Sequence, residues 1–132
     1  MASLPVSFQA PEPRDAGEIA AEARRWYWQR ISAMVLAACV CVHLATMVYA
    51  VRGGLSAAEI LARTKGNVLF GGFYLVFVIA VAVHAPLGLE RIAQEWLGWS
   101  SRASRGLALG FGALVLVLGL RAVWAVFSPA GT

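Results

Sequence analysis

The stretch VLFGGFYLVFVIAVAVHAPLGL, residues 68–89, decides the fold of this chain. It contains no charged residue, and it is about as long as the ~20 apolar residues that a helix needs to cross the hydrocarbon core of a bilayer. Near its end stands His84. An ionisable side chain is costly at membrane depth, and it therefore indicates a functional site. The stretch predicts a transmembrane helix that carries a functional histidine.

Two further apolar runs, residues 31–51 and 106–127, have a similar length. Of the 132 residues, 60% are hydrophobic and 14% are charged. Soluble domains are more polar, with roughly a quarter of their residues charged. We therefore predict an all-α membrane protein with three transmembrane helices at about residues 31–51, 68–89 and 106–127.

The segments outside the spans are more polar. Residues 1–30 are predicted to form an N-terminal arm, followed by a polar helix that opens with a capping box between Asp15 and Glu18. Residues 31–132 are predicted to form the transmembrane domain, in which residues 90–105 make a charged connection.

The first connection between spans carries a second capping-box pattern, Ser56 with Glu59. It predicts a short amphipathic helix that runs to about Lys65, with Ile60 and Leu61 facing inward.

The basic residues cluster at the ends of the apolar runs. This distribution does not favour nucleic acid as a partner, although the net charge is +4. Three basic residues flank the spans on one side, Arg52, Arg63 and Lys65. Seven lie on the other side, Arg14, Arg24, Arg25, Arg30, Arg91, Arg102 and Arg105. Because basic loops stay inside, we expect a multi-pass protein of a bacterial inner membrane with a cytoplasmic N-terminus and a periplasmic C-terminus.

The chain has only two histidines, His43 and His84, and neutral imidazole is a good axial ligand for haem iron. Counted along the helices, His43 lies ~18 Å and His84 ~9 Å from the cytoplasmic boundary. One haem held by both within a single chain is therefore awkward. The spacing favours two haems, each completed by a histidine of another chain, either a second copy or a paralogue. The alternative is that each histidine only makes hydrogen bonds between helices.

The neighbours of the histidines fit a haem. Gly88, one turn after His84, would let a flat ring approach the backbone, and Arg91 would reach the haem propionates. In the first span, a stripe that includes Ser32, Cys39 and His43 shares one helix face. Arg30 and Ser32, at the cytoplasmic mouth, would supply donors for a quinone head group.

In the last span, Arg121 is expected to snorkel to the far interface. Pairs of small residues four apart predict close contact between helices. These pairs are Gly106 with Gly110, and Ala108 with Gly112. Pro86 predicts a local kink in the second span.

Across all three spans the sequence resembles a membrane-anchor cytochrome b subunit of the succinate dehydrogenase/fumarate reductase (complex II) family. The matching pieces are Arg30-Ile31-Ser32, His43, Arg52-Gly53-Gly54, and His84-x-x-x-Gly88 followed by Glu95-Trp96. The resemblance implies an oxidoreductase complex in which this chain is the membrane subunit, while the dicarboxylate chemistry takes place on another chain.

The resemblance also implies cofactors, partners and residue roles. His84 and His43 match haem b ligands, and Arg30 and Ser32 match the polar start of the first helix near quinone. Glu95-Trp96 falls where some members have an Asp-Tyr pair that contacts quinone. A tryptophan donates only through its ring N–H. The implied partners are a flavoprotein subunit, an iron–sulfur subunit, a second anchor chain that completes a larger helix bundle, and membrane lipid.

A different class of function stays open at this point. In that alternative, the chain is a non-haem assembly or transporter subunit whose histidines are structural. The spans contain no acidic residue, and three helices are few for an alternating-access transporter.

Overall fold

The computed structural model describes residues 15–128, and this part of the chain is helical and contains no strand. The helices are α1 (Ala16–Arg52), α2 (Ala57–Thr64), α3 (Val68–Glu95) and α4 (Ser101–Phe127). Helices α1, α3 and α4 are each long and apolar enough to cross a membrane. The predicted all-α architecture with three spans is confirmed, whereas the predicted arm over residues 1–14 lies outside the described residues.

Helix α1 joins two segments that the sequence analysis treated as separate. The polar helix and the first span are continuous, with no break near Arg30. No glycine or proline interrupts the chain there, and Ser32 lies within the helix, so nothing breaks it. Its 37 residues span ~55 Å at ~1.5 Å per residue, which exceeds the thickness of a hydrocarbon core. Its first turns therefore extend beyond the bilayer.

The beginning of α1 differs from the prediction in one detail. Asp15 is the N-cap, but its side chain accepts a hydrogen bond from the backbone N–H of Gly17 at 2.6 Å. The predicted contact with Glu18 is not the one that caps the helix. The helix ends at Arg52, before a turn in which Gly54 adopts a φ of 62°, a conformation open to glycine.

The predicted connection over residues 90–105 was too long. Helix α3 continues to Glu95 and α4 begins at Ser101, so only residues 96–100 connect them. Gly98 makes the turn with a φ of 64°, and the Ser100 hydroxyl accepts a hydrogen bond from the Ala103 N–H at 3.4 Å. Charged residues mark the edge of the apolar region here, but they do not stop a helix.

Helix α3 lies between α1 and α4 and packs against both. Its contact with α4 depends on small residues. A Cβ atom added to Gly112 would lie 2.6 Å from Cγ of Pro86, and Ala108 is buried. Of the two predicted small-residue pairs, Ala108 with Gly112 therefore forms this seam. The other pair has nothing within 4 Å of the positions that added Cβ atoms would take.

Pro86 lies inside α3, which runs without interruption from Val68 to Glu95. A proline removes one backbone hydrogen bond to the carbonyl four residues earlier, here that of Ala82. The Ala82 carbonyl oxygen lies 3.5 Å from the Cβ position of Gly112. The absent side chain of Gly112 therefore makes room for both the proline ring and the freed carbonyl.

The short helix α2 has the predicted capping box. The Ser56 backbone N–H donates to the Glu59 carboxylate at 2.8 Å, and the Glu59 N–H donates to the Ser56 hydroxyl at 3.3 Å. The predicted inward orientation of Ile60 and Leu61 was wrong, since their exposed fractions are 40% and 39%. The buried residue of α2 is Thr64, because only the last turn of this short helix packs against the bundle.

Candidate functional site

Helices α1 and α3 run antiparallel, and three contacts fix the register between them. Arg25 meets Glu90, Ser32 meets His84, and the His43 ring packs against Tyr74 and Phe77. Both histidines therefore lie at the α1–α3 interface. Tyr74 and His84 are ten positions apart on α3, which corresponds to ~15 Å along the helix axis. The two imidazoles thus occupy different levels of the bundle.

His84 lies beside a hydroxyl from α1. The Ser32 Oγ atom is 3.4 Å from His84 Nδ1, and the Ser32 hydroxyl donates to the Gln29 carbonyl oxygen at 3.1 Å. Only 6% of Ser32 is exposed. One turn further along α3, Nε2 of Gln29 lies 3.6 Å from the Cβ position of Gly88. Helix α1 therefore contacts the Nδ1 side of His84 and the backbone at Gly88, while both residues stay partly exposed.

His43 lies among aromatic rings. Its ring centroid is 6.0 Å from that of Tyr74 and 5.9 Å from that of Phe77, both in edge-to-face geometry. Phe73 packs against both of these rings. The Nδ1 atom of His43 is buried and has no hydrogen-bond partner. Such an atom carries a desolvation cost, so this imidazole fits a site whose remaining partner is supplied from outside the chain.

A polar cluster that the sequence did not predict lies where the three long helices meet. The buried Glu90 carboxylate is 3.1 Å from Arg25 Nη1 and 3.7 Å from Arg105 Nε. The Gln94 amide donates to Glu90 at 3.4 Å and to the buried Ser104 hydroxyl at 2.8 Å. We call these five residues the polar end. In the sequence Glu90 marks only the boundary of a span, but Arg25 and Arg105 flank the other two spans on the same predicted side and are the signal for this cluster.

A polar cavity of ≈ 590 Å³ opens at the polar end. Arg25, Gln29, Glu90 and Arg91 are among the residues that line it. The Gln29 Oε1 atom is buried without a hydrogen-bond partner. Arg91 is itself exposed, so its guanidinium is free to meet an anionic or carbonyl group in this cavity.

Two other cavities lie along the helices. An apolar groove of ≈ 800 Å³ runs between α3 and α4, with Arg24, Arg25 and Trp28 from α1 among its walls. A third cavity of ≈ 450 Å³ lies at the opposite end of the bundle, between α2 and the neighbouring ends of α1 and α3.

The structure does not bring the four predicted quinone residues together. Arg30 is exposed, with its guanidinium carbon 4.5 Å from the centre of the Trp26 ring, whereas Ser32 is buried against His84. Glu95 and Trp96 end α3 in solvent-exposed positions, and 83% of Trp96 is exposed. Neither residue lines any of the three cavities.

The donor set fits a haem better than a bare metal ion. Among residues 15–128, no group of three or more His, Cys, Asp or Glu side chains is arranged to hold a metal ion. A haem supplies four nitrogen ligands of its own and needs one or two axial ligands from protein. Two imidazoles at separate levels, one held by a hydroxyl and one with an unpartnered nitrogen, match this requirement.

A family model described as succinate dehydrogenase/fumarate reductase transmembrane subunit matches residues 13–120. This range covers α1, α2, α3 and most of α4. No curated protein and no solved structure matches the chain significantly.

Proposed function

Because this chain belongs to the succinate dehydrogenase/fumarate reductase transmembrane subunit family, we propose that it is the haem b-carrying anchor of such a complex. The chain is a multi-pass membrane protein with three apolar helices. The observation that carries the haem proposal is the position of His84, which lies inside an apolar helix with its Nδ1 atom beside Ser32 from another helix. A histidine held in this way is suited to be an axial ligand.

In this proposal, His84 and His43 would each hold a different haem b. A bound haem would supply one-electron transfer, and the protein would set its environment. Because the two histidines lie at different levels, a residue of another anchor chain, either a second copy or a paralogue, would complete each site. Arg91 is exposed at the mouth of the polar cavity, where it would meet a haem propionate.

The same end of the bundle is the proposed quinone region. The polar cavity offers the donors that a quinone carbonyl needs, from Arg25, the Gln29 amide and Arg91. Arg30, Ser32, Glu95 and Trp96 were predicted as quinone contacts from the sequence and stay predictions. Of these, Ser32 is the least suited, because its hydroxyl already donates to Gln29.

The proposed partners follow from this arrangement. A flavoprotein and an iron–sulfur subunit would dock at the end that carries Arg24, Arg25, Arg91 and Arg105, which we assign to the cytoplasmic side of a bacterial inner membrane. Succinate or fumarate would react in the flavoprotein. This chain would pass electrons between the iron–sulfur subunit and membrane quinone.

Optical spectroscopy of the purified complex tests this function. The reduced-minus-oxidised spectrum should show bis-histidine haem b, and His84→Ala should remove one haem component while the complex still assembles. The control is Cys39→Ala, which changes a buried residue of α1 that is not a predicted ligand. A fully assembled complex without haem would overturn the proposal. Unchanged haem content in His84→Ala would show that His84 is not a ligand.

A further inference from the structure

We propose that Ser32 is a positioning residue for His84. It holds the imidazole in the tautomer that carries its proton on Nδ1, which leaves Nε2 with the free lone pair. This inference rests on the proposed haem function. It gives Ser32 a role different from the quinone contact that the sequence suggested.

The Ser32 hydroxyl has two possible acceptors within reach. A serine hydroxyl has one proton to donate and two lone pairs to accept with. The nearer acceptor is the Gln29 carbonyl oxygen at 3.1 Å, three residues earlier in the same helix, while His84 Nδ1 is 3.4 Å away. The proton therefore goes to Gln29, and a lone pair of Oγ faces the histidine.

The His84 imidazole has to match this lone pair. A neutral histidine carries its proton on one ring nitrogen and accepts with the other. Since the Ser32 oxygen presents a lone pair, the contact is favourable only when Nδ1 is the protonated nitrogen. An axial ligand needs a lone pair toward the metal, and this tautomer provides it on Nε2. The hydrogen bond and the ligand role thus require the same tautomer.

Burial makes this contact effective. Ser32 is almost fully enclosed between α1 and α3, so water does not compete strongly for its oxygen. A hydrogen bond from the far nitrogen of a ligating imidazole fixes the ring and raises its basicity. A more basic ligand favours the ferric state. Ser32 should therefore lower the reduction potential of the haem that His84 ligates.

His43 supplies an internal comparison. Its Nδ1 atom is buried without a partner, so nothing in the described chain selects its tautomer in the same way. The effect of Ser32 should be confined to the haem at the His84 level, because His43 packs against Tyr74 and Phe77 further along α3.

The test is a redox titration of the assembled complex with four variants, combined with electron paramagnetic resonance of the low-spin haems. Ser32→Ala should raise the midpoint potential of the component that His84→Ala removes, and should change its g values, while the other component stays as in the wild type. Ser32→Thr keeps the hydroxyl and should restore both properties. Cys39→Ala is the control for packing, since Cys39 and Ser32 lie on the same face of α1 and are both 6% exposed.

Failure of this inference can be told apart from failure of the haem proposal. If His84→Ala removes a haem but Ser32→Ala leaves its potential and g values unchanged, Ser32 does not position the ligand and the haem function stands. If Ser32→Ala loses the haem while Ser32→Thr keeps it, the positioning role is supported. Loss in both Ser32 variants would show that the site requires the size of serine rather than its hydroxyl, which would overturn the inference.

Discussion

His84 and His43 lie at the same helix interface in opposite surroundings. His84 faces the hydroxyl of Ser32, and the polar end begins only six residues further along α3, at Glu90. His43 faces the edges of Tyr74 and Phe77, and its Nδ1 atom has no partner. The same residue type is thus held by a hydrogen bond at one level and by ring packing at the other.

One helix pair can therefore prepare two unlike sites. A hydrogen bond selects a tautomer and an orientation, whereas ring packing restrains orientation and leaves the proton position open. Polar groups such as Glu90, Gln94 and Ser104 satisfy one another near the His84 level, where three helices converge. At the His43 level the contacts on the histidine are ring contacts with Tyr74 and Phe77, and α4 approaches α3 through Gly119 at Val78.

The largest expected effect comes from removing each histidine in turn. His84→Ala and His43→Ala should each remove a different haem component, because the register separates the two side chains by ~15 Å along the bundle. Difference spectra and redox titration of the two complexes check this. If either single variant removed all haem while the complex stayed assembled, the two histidines would belong to one site and the comparison would fail.

A smaller effect is expected from the polar end. Glu90→Ala removes the carboxylate that Arg25, Gln94 and Arg105 share. Losing hydrogen bonds to a charged group lowers the free energy of unfolding by about 1.5–3 kcal/mol. Because the two arginines are half-exposed and regain water, we expect a loss near the lower value. The thermal midpoint of the complex should fall. On heating, the haem spectrum assigned to His84 should change at a lower temperature than the one assigned to His43.

The matched control for this experiment is Glu95→Ala, an exposed carboxylate one turn and a residue further along α3. Its thermal midpoint should stay close to that of the wild type. If Glu90→Ala and Glu95→Ala lowered the thermal midpoint equally, the shared carboxylate of Glu90 would not hold the helices together.

The α3–α4 seam offers a third test. Gly112→Ala places a methyl group 2.6 Å from the Pro86 ring, and Pro86 lies two residues after His84. This overpacking should lower the free energy of unfolding by about 1–3 kcal/mol. Gly110→Ala is the control, since nothing in the chain lies within 4 Å of its Cβ position. The His84 haem spectrum and the thermal midpoint should change only in the first variant. If Gly110→Ala lowered the thermal midpoint more than Gly112→Ala did, close packing at Gly110 against a partner chain would matter more than the α3–α4 seam.

The smallest effect is expected at α2, far from the polar end. The backbone N–H and the hydroxyl of Ser56 hydrogen-bond the Glu59 carboxylate and lower its pKa. Because the folded-state pKa is lowered, the stabilisation is present above the unfolded-state pKa and is lost as the pH falls through the folded-state pKa. Hydrogen exchange of the α2 amides should therefore show more opening in acid.

The control for this pH dependence is Glu59→Gln, which has no carboxylate to titrate. In this variant, the exchange rates of the α2 amides should change with pH only as much as those of an unstructured peptide. If the wild type and this variant changed in parallel, the capping box would not be the source of the pH dependence.

Much of the fold followed from local patterns. The apolar runs around His43 and His84 predicted their helices, and Ser56 with Glu59 predicted the start of α2. The ends of the long helices were less predictable, because charge marks the edge of the apolar region and does not end a helix. Helix α3 continues past Glu90, whose carboxylate meets Arg25 and Arg105, residues 65 and 15 positions away.

The candidate site was predictable only in part. Histidine inside an apolar run is a strong local signal, and it identified both imidazoles. Ser32 was associated with quinone because it lies at the start of an apolar run, beside Arg30. Its neighbour across the interface was hidden, since sequence spacing does not reveal which residue of α3 stands opposite.

The sequence by itself determined that this chain is helical, crosses a membrane three times, and carries two histidines at different depths. Hydropathy and helical spacing are local properties, so they can be read without knowing the packing. Only the tertiary structure decided that Ser32 meets His84 across 52 positions, that Glu90 joins three helices, and that Gly112 admits Pro86. These contacts depend on the register between helices, which is set by side-chain packing along the whole interface.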